Sequence, residues 1–274
     1  MRDHLLRKTW QYKISILVFV LLMPFILFGS WAHMTFVVVV LFTIQLTVVL
    51  MLMSKAVYHT HNKWQKEWLA ILEEQVDPKT MLDQLHSNSK LSRYKDAQAL
   101  TAICWYLLQD TSRAIELMRR LIEQEKKDDL LIIYLLNLCV FYHSNRELEN
   151  SKEALEKAKI LLDRQKEASL MRLHKTVVDC KILEMMFAYE CDDRTFYEYK
   201  NYIIACLNQE QLTRRKRLQL HHTLACLYMD QGNRDKAVEE VRYVEVLGSK
   251  TFLYQDICNK LQAYDRKHKK EDIL

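Results

Sequence analysis

Glycine and proline are nearly missing from this chain, with three and two among 274 residues. Tight turns, bulges and sheet corners depend on both, so a sheet protein is excluded and an all-α chain is expected. No Asp, Glu, Lys or Arg lies between positions 14 and 53. No CxxC pair occurs, although there are seven cysteines: Cys104, Cys139, Cys180, Cys191, Cys206, Cys226 and Cys258. An odd number of thiols among apolar neighbours speaks against a disulfide framework or a zinc site, and for free thiols in a reducing compartment. A concentrated basic surplus is lacking as well. Of the formal charge of +5, three belong to residues 1–13, where Arg2, Arg7, Lys8 and Lys13 face Asp3 alone. The remainder is close to neutral, and a nucleic-acid partner is not expected.

The standard motifs of chemistry are missing too. There is no Gly-rich phosphate loop, HExxH, nucleophile elbow or dinucleotide fingerprint. No catalytic residue, metal or cofactor is therefore expected, and the chain reads as a non-enzyme.

What is present begins with two apolar runs, 14–32 and 34–53, of nineteen and twenty residues. At a rise of ~1.5 Å per residue each would just span a hydrocarbon core of ~30 Å. The turn between them falls at Gly29 to His33, which predicts a tight transmembrane hairpin. Basic residues flank both outer ends, with Lys55, Lys63 and Lys66 after the second run, and the turn carries no Lys or Arg. The positive-inside rule then predicts a two-span cell-membrane protein with both termini and everything after residue 53 cytoplasmic. A cleaved signal peptide is the competing reading, because Ser30 and Ala32 have the spacing of a cleavage site. With His33 the only ionisable residue in it, the hairpin reads as an anchor in the bilayer and not a transport path.

Residues 54–90 read as an amphipathic connector. Val57, His61, Trp64, Trp68, Ile71 and Leu72 share a helical face, and Asp77-Pro78 restarts the chain as cap and first helical residue. A short helix to about His86 and a linker at Ser87-Asn88-Ser89-Lys90 are expected.

From 91 to 274 the pattern repeats. The clearest unit is 218–247, in which Leu220, Leu224, Leu227 and Tyr228 precede Asp230-Gln231-Gly232-Asn233, and Ala237, Val241 and Val244 follow. Three- and four-residue spacing predicts two amphipathic helices, closed by a left-handed Gly232 and reopened by an Asn233 cap. The segment Asn233-Arg234-Asp235-Lys236-Ala237-Val238-Glu239 matches segments beginning at Asp110 and Asn150, and more weakly one at Asp192. The starts are 40, 42 and 41 residues apart. Such spacing predicts an α-solenoid of about four helical hairpins, with a capping helix at 251–269 that carries Phe252, Tyr254, Ile257, Cys258, Leu261 and Tyr264 on its inner side.

On these residues the chain resembles the tetratricopeptide repeat family. In the last unit Leu224-Ala225, Tyr228, Ala237 and Val241 fall at the family's spacing, while His221 and Ser249 stand where the family often has Trp and Pro. The repeat of about 40 is longer than the family's ~34, which longer first helices would explain. The resemblance implies a concave groove for a peptide or protein partner. It puts Gln219, His222, Cys226 and Met229 of the last unit in that groove, and Ala99, Ile103 and Tyr106 of the first.

Other clusters carry residue types that can do chemistry. His59 with His61, and His221 with His222, lack the i, i+4 spacing that puts two imidazoles on one helical face. Cys180 and Cys191 near His174 read as a buried thiol, a second thiol and a surface histidine. Arg214-Arg215-Lys216-Arg217 reads as a solvated helix start balanced by nearby acids, against an anion contact. Tyr189, Phe196, Tyr197, Tyr199 and Tyr202 read as inter-helix core before ligand lining. The function expected is a membrane-anchored interaction or scaffold module. The alternatives are a membrane-bound regulatory or catalytic protein acting on a small molecule, and a self-associating assembly factor in which copies of the chain pair.

Overall fold

A computed structural model describes residues 43–51, 55, 66–87, 94–165, 167–209 and 212–271. Among them all regular structure is helical and no strand occurs, as the scarcity of glycine and proline predicts. The chain divides into two units, Met1–Trp68 and Leu69–Leu274.

In the first unit residues 43–51 form one helical stretch, in which the Thr47 hydroxyl donates to the Thr43 carbonyl at 2.7 Å. Among the described residues no helix is long and apolar enough to cross a membrane. This conflicts with the two-span cell-membrane placement expected from the sequence, and that localisation is corrected. The first apolar run, 14–32, lies outside the described residues, as do 34–42 and 52–53.

The second unit opens with one wide helical turn at Ala70–Gln75, which Val76 ends in the left-handed region. Then follow α1 (Pro78–Ser87), α2 (Lys95–Leu107), α3 (Thr111–Gln124), α4 (Asp128–Ser144), α5 (Leu148–Asp163) and the short α6 (Glu167–Arg172). They continue as α7 (His174–Cys191), α8 (Phe196–Leu207), α9 (Arg214–Asp230), α10 (Arg234–Gly248) and α11 (Phe252–Glu271). Helices α2 and α3, α4 and α5, and α9 and α10 pack as hairpins. Successive hairpins stack through α3 on α4, α5 on α7, α8 on α9, and α10 on α11.

Each clear hairpin closes with the same turn. The amides of Asp110, Glu147 and Asn233 donate to the carbonyls of Trp105, Tyr142 and Tyr228, at 2.9, 2.9 and 2.8 Å. The residue before each is left-handed: Gln109 at φ 69°, Arg146 at 61° and Gly232 at 71°. Only the last is the glycine that such a helix end favours. After the turn, the fourth, eighth and eleventh residues are buried in all three second helices: Ala114, Met118 and Leu121; Ser151, Leu155 and Ala158; Ala237, Val241 and Val244.

This register corrects the sequence match at Asn150. Helix α5 starts at Leu148 after Glu147, and the equivalent of Ala114 is the fully buried Ser151, not Ala154. A three-residue slip is nearly one helical turn and leaves the same face buried, so periodicity alone does not detect it. The turn-closing residues are then 37, 45 and 41 apart at Asp110, Glu147, Asp192 and Asn233. In the third unit Asp192 accepts from the Arg194 amide at 3.0 Å and starts a single 3-10 turn, Asp193–Thr195, before α8.

The side chains of Asp110 and Asn233 each accept from the amide three residues on, at 3.3 Å, whereas Asn150 donates to Glu147 inside the helix start. Asn233→Ala is therefore expected to cost about 1 kcal/mol in urea unfolding. Asn150→Ala should stay within about 0.5 kcal/mol, as exposed substitutions usually do.

The middle of the stack is apolar. Ile132, Leu135, Leu136 and Cys139 of α4 meet Ala154, Leu155, Ala158 and Leu162 of α5 and Cys180, Leu183 and Phe187 of α7. The buried Ser151 of α5 donates to the Cys139 carbonyl at 2.7 Å, so its burial leaves no orphan. At the last hairpin Gly248 lets α10 approach α9 closely, since a Cβ there would lie 2.4 Å from Leu218 Cδ2.

The two ends of the stack also meet. The turn Ala70–Gln75 packs against α9, 140 residues later in sequence. Glu73 receives the Arg215 guanidinium at 2.7 Å on one oxygen and the Thr213 hydroxyl at 2.7 Å on the other. Lys250 pairs with Asp77, whose other oxygen caps α1 at the Thr80 amide. Tyr106 of α2 meets Phe252 of α11 edge-on at 5.1 Å.

Candidate functional site

The groove residues of the last unit lie on α9, whose four-residue spacing puts His222 and Cys226 on one face. That face is covered. Helix α11 packs on it, held at its start by Leu253 and Ile257, which are 4% and 0% exposed. His222 Nε2 meets Asp256 Oδ2 at 2.8 Å, and Lys260 Nζ reaches the same oxygen at 2.8 Å. Lys260 also lies 3.7 Å from Cys226 Sγ. Met229 is buried and Gln219 half-buried. Tyr106, placed in the first unit's groove, is buried as well. It stacks on Phe141 at 4.8 Å, and its hydroxyl accepts from Ser144 at 3.2 Å. Ala99 and Ile103 of the same helix are half-buried and buried.

The electrostatics of this cluster follow from burial and pairing. Burial alone would raise the Asp256 carboxyl, but hydrogen bonds from His222 and Lys260 outweigh it and bring it to about 2. Burial lowers His222 below 6.5, more than Asp256 raises it. A neutral imidazole therefore donates to a carboxylate that a lysine also neutralises. The residue types Cys, His and Asp invite comparison with a thiol triad. Burial, however, pushes the Cys226 thiol up to about 11, so it is not a thiolate nucleophile near neutral pH. The geometry holds one helix on another.

The two adjacent histidines diverge. His221 meets Glu240 of α10 at 2.6 Å and stacks on Tyr243 at 4.6 Å, while His222 faces α11. Among the described residues no group of three or more His, Cys, Asp or Glu comes together to hold a metal. His59 and His61 lie outside the described residues. His174 and Cys191 sit at opposite ends of α7, about 26 Å apart along its axis. Burial raises Cys180 on the same helix to about 11.

Each member of the basic run has an internal partner. Arg214 donates to the Leu247 carbonyl at 3.1 Å, at the end of α10 where cations are favoured. Arg215 pairs with Glu73, Lys216 with Asp179, and Arg217 reaches the Leu207 and Gln209 carbonyls at 3.4 Å. The run fastens α9 to its neighbours and offers no free anion contact. Of the aromatic group, Phe196 and Tyr199 are core between α7 and α8, and Tyr189 reaches Asp230 of α9 at 3.3 Å. Only Tyr197 stands clear, 67% exposed beside Lys200.

Sequence reasoning missed the partners that cover the site: Asp256 and Lys260 on α11, and Glu73, Asp77 and Lys250 at the closure. An i, i+4 Asp–Lys pair on an amphipathic helix is visible in sequence, but it ordinarily marks a solvated face. Nothing local signals that Glu73 and Arg215 meet across 142 residues.

The chain matches no family model, and no curated protein matches it significantly.

Proposed function

We propose that this chain is a helical-repeat interaction module that takes a helical segment of a partner protein on the face of α9 carrying Gln219, His222, Cys226 and Met229. One observation carries the reading: that face already accommodates an amphipathic helix, α11, through two apolar anchors and a set of matched polar groups. Helix-in-groove recognition uses the same combination. The last hairpin is proposed to be tetratricopeptide-like, which the burial of Leu224, Ala225, Tyr228, Ala237 and Val241 supports. These are the positions where the resemblance lies.

A photocrosslinking residue at Gln219 in the full chain tests the reading, with one at the exposed Lys157 as control. A discrete partner is expected through position 219 and not through 157. Identical background at both positions contradicts the proposal, and capture of a second copy of this chain would replace it with self-association.

A further inference from the structure

Helix α11 runs for twenty residues, yet its buried anchors are confined to the first two turns. Leu253 and Ile257 are buried, whereas every described side chain from Cys258 to His268 is half-buried or exposed. The later contacts include ion pairs and hydrogen bonds. Lys260 bridges Asp256 and Cys226, and Arg234 of α10 holds Asp265 through two hydrogen bonds of 2.6 and 2.9 Å, with its own side chain 52% exposed. Ion pairs at such exposure add little cohesion, and the desolvation of buried ones offsets much of their attraction. They fix the register of α11 more than its strength. By contrast the start of the helix is tied down, by Phe252 against Tyr106 and by Lys250 against Asp77 just before it.

We propose that α11 is a self-occluding lid: it lies on the partner-binding face as a pseudo-ligand, and a partner helix of matching chemistry takes its place. This rests on the functional reading above and specifies the ligand. The occupant is a helix with two apolar residues four apart, in the manner of Leu253 and Ile257. An acidic residue immediately before the second, in the manner of Asp256, accepts from His222. A helix without that carboxylate leaves the neutral His222 donor unpaired at a covered surface, which is costly. The part of α11 after Ile257, which has no buried anchor, is where displacement begins, because elements that move in binding are drawn from the weakly anchored end of a structure. The short connection through residues 249–251 keeps the displaced lid beside its site, at high effective concentration, so that it re-covers the face when the partner leaves.

The probe is a fluorescent synthetic peptide with the sequence of residues 252–271, added to the full chain. Two lid-weakened variants, Ile257→Ala and Asp256→Asn, are compared with the unaltered chain, and circular dichroism checks that each remains folded. Peptide binding at least tenfold tighter to either variant than to the unaltered chain is expected. A peptide in which Asp256 is replaced by Asn should lose most of that gain. Equal affinity for all three proteins, or no binding to any of them, overturns the lid. The outcome is independent of the crosslink at Gln219, so the lid and the partner reading fail separately.

Discussion

Arg215→Met is expected to lower the stability of the folded chain by about 3–5 kcal/mol, the usual cost of leaving one member of a buried ion pair alone. The Arg215 and Glu73 side chains are 19% and 16% exposed, and Glu73 keeps the Thr213 hydroxyl and the charge of Lys175 once the guanidinium is gone. The cost depends on pH with a definite sign. Burial by itself raises the Glu73 carboxyl; the charge and hydrogen bond of Arg215, with Thr213 and Lys175, outweigh it and hold it below 4.5. A carboxylate with a depressed folded pKa contributes its stability above the unfolded value and loses it as pH falls through the folded one. The penalty of Arg215→Met should therefore be greatest near neutral pH and shrink as pH falls, first as the buried Glu73 of the variant protonates and then as the paired Glu73 of the unaltered chain does so below 4.5. Urea unfolding at two pH values measures it. Adding Glu73→Leu to Arg215→Met should recover much of the loss, because the pair's desolvation cost disappears with the pair. A penalty under about 1 kcal/mol would mean that Glu73 and Arg215 do not meet as a buried pair.

Phe141→Ala is expected to cost about 3–5 kcal/mol, the range for deleting a buried phenyl ring. Phe141 is 1% exposed and stacks on Tyr106, whose other neighbour is Phe252. The cavity would therefore open between the first units and the start of α11. Beyond the loss in urea unfolding, amide exchange in α11 should speed up more than exchange in α5, which buries its face elsewhere. A uniform change across both helices would place Phe141 outside the packing between α2, α4 and α11.

How much of this was legible in the sequence depended on how local the signal was. Asp77-Pro78, Asp110, Asp192 and Asn233 start helical turns where cap chemistry says they should, because a short polar side chain and a nearby amide need no distant partner. The second unit misled because its left-handed residue is Arg146, with no glycine to mark it, and because Asn150 mimics a cap one helical turn late. The α9 face was picked out by family resemblance, and its residues do share one side of that helix. Its covering was not legible, since Asp256 and Lys260 look like an ordinary solvated pair until α11 is folded onto α9. The closure was least legible of all: Glu73 and Arg215 are each plain charged residues on amphipathic helices. For the apolar run 34–53, hydropathy suggested a spanning helix, whereas no helix among the described residues is long and apolar enough to cross a membrane.

Closure of the stack is measured most directly by the distance between spin labels at Lys79 on α1 and Arg242 on α10, both exposed, in the full chain. If residues 70–77 are fastened to α9 and Lys250 as described, the distribution is narrow and single, and Arg215→Met broadens it. A broad or multiple distribution in the unaltered chain, unchanged by Arg215→Met, would mean that the helical stack is open and its ends are free of each other.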